Sequence, residues 1–424
     1  MSHHYDRRPS RGKEVKFKRS LRQTAMDRWQ PAGRKLVSPE GKWNDVIVLC
    51  AANYYDGIKL ADQHMAEHMS RLGPILYVDP PLSRLTPVRN PKFADTLNGP
   101  RLQVLSPSLA RLTPVVLPGP SRPGITPITS ALVRRYMRKS VAALGGSVKA
   151  VVSAWPQYPV LGACGEDMRV YWAQDDFVGG AALLGLNAKS LSRRERQVAA
   201  DADLIVAANP LVAETWRDRG FDPVLIPYGA DTAAYSAVET SMRPSDVRLE
   251  PPIAGFVGHI NDRIDLRLLE TVADRGRSLL LVGPVSPAFA SQRWDALRRR
   301  PNVCWVGPKS FDALPGYLRL LDVGLVPYRD SAFNRGSFPL KTLEYLAAGR
   351  GVVTTDLPAS RWLATSLIVI ASEPRAFADM VDRMITTPRT PAILAQRQNF
   401  AAAHSWEIRA AELYRVISEG SAER

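Results

Sequence analysis

The sequence predicts an α/β protein of two domains, each a parallel sheet covered by helices on both faces. Three observations carry that prediction. Short apolar runs rich in Val, Ile and Leu alternate with amphipathic stretches through most of the chain. The alternation comes in two series, separated by one segment of small and polar residues. The 424 residues, 45% hydrophobic and 23% charged, are enough for two independent cores.

In the first series Asp45–Leu49 reads as a strand, Ile58 to Leu72 as a helix and Ile75–Asp79 as the next strand, a βαβ unit. Pro80 to Pro127 is rich in Pro and Gly and reads as an elaborated edge without regular elements. Ile128 to Leu144 follows as a basic helix carrying Arg134, Arg135, Arg138 and Lys139. Strands are then expected at Ala150–Ala154, Val170–Ala173, Asp203–Ala208 and Pro223–Pro227, with helices at Lys189–Ala202 and Leu211–Arg219. The second series places strands at Ile253–Val257, Ser278–Val282, Val303–Val306, Val323–Pro327, Gly351–Thr355 and Leu367–Ile370. The expected organisation is a basic disordered tail at 1–42, a first domain at 43–232, a linker at 233–252, a second domain at 253–403 and a closing segment at 404–424. Ligands of such open sheets bind at the carboxyl ends of the strands, here in a cleft between the two sheets.

Charge is unevenly placed. Of the formal +15, the tail 1–42 supplies +8, with twelve Lys and Arg against four Asp and Glu. A basic arm is drawn to polyanions, at roughly 1 kcal/mol per basic residue near an anionic lipid surface; a solubilising tail without a partner is the plainer alternative. No apolar run approaches the roughly 18 residues of a membrane span, and the first residues lack the apolar core of a signal peptide. Cys50, Cys164 and Cys304 are far apart and odd in number, which reads as buried reduced thiols in a cytoplasmic protein.

The most informative stretch runs from Asn334 to Gly349 and leads into the strand at Gly351. Ser337 is placed to cap a helix whose early turn contains Pro339, and Gly349–Gly351 stops it. Free N–H groups at a helix start suit a diphosphate. Lys341 sits where the helix dipole disfavours a cation by roughly 0.3–1 kcal/mol unless an anion is near, which points to a phosphate partner. Glu344, one turn deeper on the same face, has the acceptor-only chemistry to take both hydroxyls of a ribose.

These residues, with several further blocks in the same order, resemble the GT4-like glycosyltransferases, in particular the branch of teichuronic acid biosynthesis. The resemblance runs from Asp45 to Ile417. It includes Asp56 to Leu72 with Leu76–Pro81, the block Tyr171–Phe177, Ile226–Asp231, Gly255–Ile260 with Arg263–Asp265, and His404–Trp406. It implies the GT-B fold, two Rossmann-like domains with parallel sheets facing a central cleft, and a last helix that crosses back to the first domain. One departure matters: related retaining enzymes carry two glutamates eight positions apart, and here Glu344 fits the second while Gly336 occupies the place of the first. The resemblance therefore leaves retention or inversion open.

In that frame Arg263, after a strand and a Gly258-containing turn, reaches a donor phosphate with its guanidinium fork. Gly255 and Gly258 allow close backbone approach. Asp175 and Asp176 end a strand, and one of them is the candidate catalytic carboxylate that takes a proton from the acceptor hydroxyl. A helix cap or loop pair is the structural alternative for them. His64, Glu67 and His68 spell an H-x-x-E-H zinc pattern, which is rejected because it falls on the first helix of a βαβ unit. The expected function is hexosyl transfer from a nucleotide-diphosphate sugar, as donor substrate rather than cofactor, to a polysaccharide or lipid-linked cell-envelope acceptor, without a metal. Donor contacts are expected from Gly258, Arg263, Ser337, Lys341 and Glu344. Two other readings stay open: an epimerase or phosphorylase on the same fold, and a non-enzymatic polyanion binder working through its tail. No nucleic-acid module is recognised, so the polyanion favoured is an anionic membrane surface, with peripheral attachment at the inner face of the cytoplasmic membrane through the tail and the Arg134–Lys139 helix.

Overall fold

A computed structural model of the chain describes residues 43–422 apart from 58, 123, 182–184 and 339. The tail expected at 1–42 lies outside the described residues, as does Pro339. The chain divides into two compact units. Of the described residues, one gathers 43–171, Arg194–Asp203 and 417–422; the other holds Trp172–Arg193 and Leu204–Val416.

In the first unit the strands are β1 (Val46–Cys50), β2 (Ile75–Val78), β3 (Leu82–Ser83), β4 (Leu102–Ser106), β5 (Leu109–Leu112), β6 (Val115–Val116), β7 (Val148–Ser153) and β8 (Met168–Ala173, whose last two residues fall in the other unit). Neighbours run β8-β7-β1-β2-β5-β4, parallel except that β4 pairs antiparallel with β5. Every residue of β1 and β2 is buried, the continuous apolar run that a sheet covered on both faces demands. The first helix is shorter than its sequence pattern, Ala61–Met69, with the Gln63 side chain accepting the Leu60 N–H at its start. The long basic helix is Thr126–Leu144; it buries Val133, Met137 and Val141 and exposes Arg135, Arg138 and Lys139, the split expected of an amphipathic surface helix.

The Pro-rich segment 80–127 is more regular than expected. It holds β3 to β6 and short helical turns, elements of five residues or fewer whose periodicity is too brief to read among so many prolines. It is tied down by a buried ion pair. Asp79 accepts from Arg111 Nε at 2.7 Å, from the Thr113 hydroxyl at 2.7 Å and from the Tyr55 N–H at 2.8 Å, while Arg111 also reaches Asp56 at 2.6 Å.

In the second unit β9 (Leu204–Ala207) and β10 (Val224–Leu225) pair in parallel. A six-stranded, wholly parallel sheet follows, made of β11 (Ile253–Val257), β12 (Ser278–Val282), β13 (Val303–Trp305), β14 (Val323–Val326), β15 (Gly351–Thr354) and β16 (Ile368–Ile370) in the order β13-β12-β11-β14-β15-β16. All six coincide with the expected strands to within a residue at either end. The Leu340–Ala347 helix lies on this sheet through Leu343, Tyr345 and Leu346, and the Tyr345 hydroxyl accepts the Val257 N–H at 2.9 Å. The segment expected as a linker is packed: Tyr235 and Val238 are buried, and Asp246 accepts from Lys309 at 2.6 Å and from the Tyr317 hydroxyl at 2.9 Å. Two separated motifs meet where Ala230 bridges Ser405 and the Tyr228 ring touches Trp406.

All three cysteines are free, but only Cys50 is buried; Cys164 and Cys304 are partly exposed, which corrects the reading of a fully buried set. No helix among the described residues is long and apolar enough to cross a membrane.

The Asp79–Arg111 pair supplies a stability test. Arg111→Leu leaves a buried carboxylate without its counter-charge, and the expected loss is about 3–5 kcal/mol. Urea unfolding followed by tryptophan fluorescence measures it; a loss no larger than that of an exposed pair, about 0–1 kcal/mol, would show the pair to be dispensable.

Candidate functional site

The site is built in the second unit from the turn after β11, the loop after β14 and the start of the Leu340–Ala347 helix. At the end of β11 the Gly258 N–H donates to the Val282 carbonyl at 2.9 Å, continuing the ladder with β12 for one residue. Position 258 has little room: a Cβ there would lie 3.0 Å from Phe256 Cζ and 3.3 Å from Lys341 Cε. The bare glycine thus lets the Lys341 stem lie against the strand end. Lys341 Nζ donates to Glu344 Oε2 at 2.7 Å, the i,i+3 pairing of one helix face, with both side chains partly exposed. Desolvation is the largest influence on Lys341 and works against its charge. The Glu344 carboxylate, through its charge and hydrogen bond, outweighs it and holds the ammonium above the ordinary lysine value.

Arg263 is fixed by a fully buried asparagine. Asn334 Oδ1 accepts from Arg263 Nε at 2.7 Å, and Asn334 Nδ2 donates to the carbonyls of Arg263 at 3.0 Å and Arg329 at 2.9 Å. The Arg329 N–H closes the same loop onto the Arg263 carbonyl at 2.8 Å. The guanidinium lies over the rings of Tyr328, 4.7 Å away, and Phe333, 5.0 Å away. Its Nε is spent on positioning, and its two terminal nitrogens make no hydrogen bond among the described residues. A guanidinium held this way keeps a free fork, the geometry that suits a phosphate.

Asp176 comes to the same region. The segment Trp172–Arg193 belongs to this unit, and its Asp176–Gly180 turn packs on the Ala332–Gly336 helix. Asp176 Oδ1 accepts the Gly179 N–H at 2.8 Å and its carbonyl accepts the Gly180 N–H at 2.9 Å. Asp175 is half-buried, and its carbonyl accepts the Phe177 N–H at 2.9 Å.

Ser337 does not do what its sequence position suggests. It ends the short Ala332–Gly336 helix in an extended conformation, and its hydroxyl donates to the Phe333 carbonyl at 2.8 Å. Two residues separate it from Leu340, where the next helix begins, so its expected capping of that helix is corrected. The cause is a short helix of five residues just ahead of Ser337, which Ser337 closes instead. In the first unit Glu67 pairs with Lys59 at 2.8 Å and accepts from the Tyr55 hydroxyl at 3.2 Å.

Residues without a sequence signal of their own shape this region: Asn334, Tyr328 and Phe333, which hold Arg263, and Asn209, whose amide donates to the Gly336 carbonyl. Asn334 lies at the start of the informative stretch, and nothing in its neighbours, Arg335 and Gly336, signals its role. A cavity of about 580 Å³ also opens in this unit, with Glu214, Asp330, Arg335, Asp356, Arg361 and Trp362 among its lining. Gly258, Arg263, Lys341 and Glu344 do not line it, and its two arginines already grip Asp330 and Asp356. The Gly258–Lys341–Arg263 region, with its unspent cationic donors, is the better candidate for an anionic ligand.

Residues 251–387, which hold Gly258, Arg263, Lys341 and Glu344, match the family model of the glycosyl transferases group 1. A relative from Bacillus subtilis (strain 168), TuaH, named for teichuronic acid biosynthesis, is 30% identical over 159 residues, 36% of this chain and 40% of its own length. The chain thus spans less than half of that relative. Among solved structures, sucrose-phosphate synthase from Thermosynechococcus elongatus superposes with a TM-score of 0.67 at 13% identity, covering 90% of this chain and 100% of that one. Anabaena Alr3699/HepE, solved in complex with UDP and glucose, gives 0.62 at 13% identity, covering 89% and 100%. At that identity the likeness speaks for the fold, which is GT-B.

The Lys341–Glu344 pair makes a pH prediction with a defined sign. Because the folded value of Lys341 is raised, the stability it contributes is complete below the ordinary lysine value of about 10.4 and is lost as pH climbs through the folded value. Lys341→Met should therefore flatten the fall of the unfolding midpoint as pH rises above about 10.4. Equal alkaline sensitivity of the two proteins would rule the linkage out.

Proposed function

We propose that this chain, which carries a group 1 glycosyltransferase domain on a GT-B fold, is a GT4-like glycosyltransferase that moves a sugar from a nucleotide-diphosphate donor to a polysaccharide or lipid-linked cell-envelope acceptor. The observation that carries the reading is the free fork of Arg263, fixed by Asn334 and two aromatic rings, in the unit that also presents Lys341 beside the Gly258 turn. HepE, solved in complex with UDP and glucose, and TuaH, named for teichuronic acid biosynthesis, are consistent with that donor and acceptor class.

In this scheme Arg263 and Lys341 receive the diphosphate and Glu344 takes ribose hydroxyls. The bond between the anomeric carbon and the diphosphate oxygen breaks, its electron pair leaving on the diphosphate. The acceptor oxygen forms the new bond, and its proton passes to a carboxylate of the Asp175–Asp176 turn. The two cations and the first N–H groups of the Leu340–Ala347 helix stabilise the negative charge that grows on the leaving group, the term that dominates such reactions. That set of positive groups serves without a metal. Attachment to an anionic membrane surface through the tail 1–42 and the exposed Arg135, Arg138 and Lys139 would bring the enzyme to a lipid-linked acceptor; flotation with anionic liposomes, and its loss on deleting the tail, tests this.

Calorimetric titration with UDP, GDP and dTDP tests the donor site. One of the three should bind, and Lys341→Ala or Arg263→Ala should each weaken it by roughly 10- to 100-fold, the worth of a charge-assisted hydrogen bond of about 1.5–3 kcal/mol. Failure of all three to bind, or variants that bind as the parent does, would end the donor reading. Products of epimerisation or phosphorolysis in place of a transferred sugar would move the reaction class while leaving the site.

A further inference from the structure

The Asp176 turn and the last turn of the Ala332–Gly336 helix are shaped around one another. A Cβ built on Gly336 would lie 2.8 Å from Asp176 Cβ, so no side chain at 336 coexists with Asp176 where it stands. Gly180 meets the ring of the same helix: a Cβ there would lie 3.0 Å from Phe333 Cδ2. Gly179 gives its N–H to Asp176 Oδ1, and a Cβ on it would run into Asp176 Oδ2. Asn209 fixes the helix end, its amide donating to the Gly336 carbonyl. Three glycines and one asparagine therefore clear a place for a single carboxylate. Its Oδ2 is without a hydrogen-bond donor among the described residues.

Position 336 lies eight residues before Glu344 and holds glycine, where the resemblance described above implies a first glutamate. The first side-chain carbon of Asp176 lies only 2.8 Å from the point at which a side chain on 336 would begin. We propose that Asp176 supplies, from a distant stretch of chain, the carboxylate that a residue at 336 would otherwise provide, and that Gly336 is small because Asp176 fills its place. This rests on the donor site proposed above and gives Asp176 a defined partner, the transferred sugar. The free oxygen accepts a sugar hydroxyl, and the charge offsets the positive charge that grows on the anomeric carbon as the diphosphate departs. Asp176 is then a donor-side residue, which removes it from the pair considered for the acceptor proton.

The geometry makes an exchange experiment available on the full chain. The probe is whichever of UDP-, GDP- and dTDP-glucose the wild type binds most tightly, with turnover read as nucleoside diphosphate released and binding read with the matching diphosphate alone. Asp176→Asn keeps the Gly179 hydrogen bond and the shape but removes the charge; turnover at saturating donor should fall roughly 100-fold with the diphosphate affinity unchanged. Gly336→Glu alone, colliding with Asp176, should be as damaged, and the pair Asp176→Gly with Gly336→Glu should recover at least about tenfold over Gly336→Glu. Thermal unfolding of each variant separates lost folding from lost turnover. Wild-type turnover in Asp176→Asn, or a folded double variant no better than Gly336→Glu, overturns the proposal while diphosphate binding still upholds the donor site. A wild type that binds none of the diphosphates overturns both.

Discussion

The candidate site depends on the side chain of one buried asparagine. Asn334 spends all of its amide on backbone and side-chain partners from two loops, those after β11 and β14, and so converts two segments 71 residues apart into one rigid corner. A buried amide is costly to leave unsatisfied and adds little when fully satisfied. Its value lies in geometry: with its partners in place, Arg263 has one available direction, flanked by Tyr328 and Phe333. Preorganised charge of this kind has no reorganisation left to perform when a ligand's charge develops.

The charges around that corner are handled in two ways. Lys341 has a carboxylate on its own helix, which keeps it protonated in a partly desolvated setting and leaves ammonium hydrogens for a second partner. Arg263 has no counter-ion among the described residues and is balanced by ring faces and an amide oxygen. Both arrangements spend part of a cation on placement and hold the rest for an anion. Elsewhere in the same unit the arginines are neutralised by a neighbour, as Arg335 is by Asp330 and Arg361 by Asp356, and they offer an anion much less.

Small residues decide how closely the segments approach. Gly258 lets the Lys341 stem reach the end of β11, and Gly336 makes room for Asp176. Each sits where a methyl group would meet another side chain, and each lies beside a residue that carries the proposed chemistry. The packing of interiors leaves no slack for a carbon atom, so such glycines couple the identity of one residue to that of another far along the chain.

By itself the sequence determined the alternation of strands and helices and with it the parallel sheets, because a strand covered on both faces must be apolar throughout and β11 to β16 announce themselves as such runs. It also put Gly258 and Arg263 just after a strand and Lys341 and Glu344 on one helix face, where the structure has them. The short strands between Pro80 and Pro127 were not legible, since elements of two to five residues show no period. Nor was the true place of Ser337, because a five-residue helix ahead of it shifts the start of the next one. What only tertiary structure decided is which residues meet: Asn334 with Arg263, and Asp176 with Gly336 across 160 positions of sequence. Spacing rules reach only a few residues along a helix or strand, whereas contacts between distant segments are fixed by how whole elements pack.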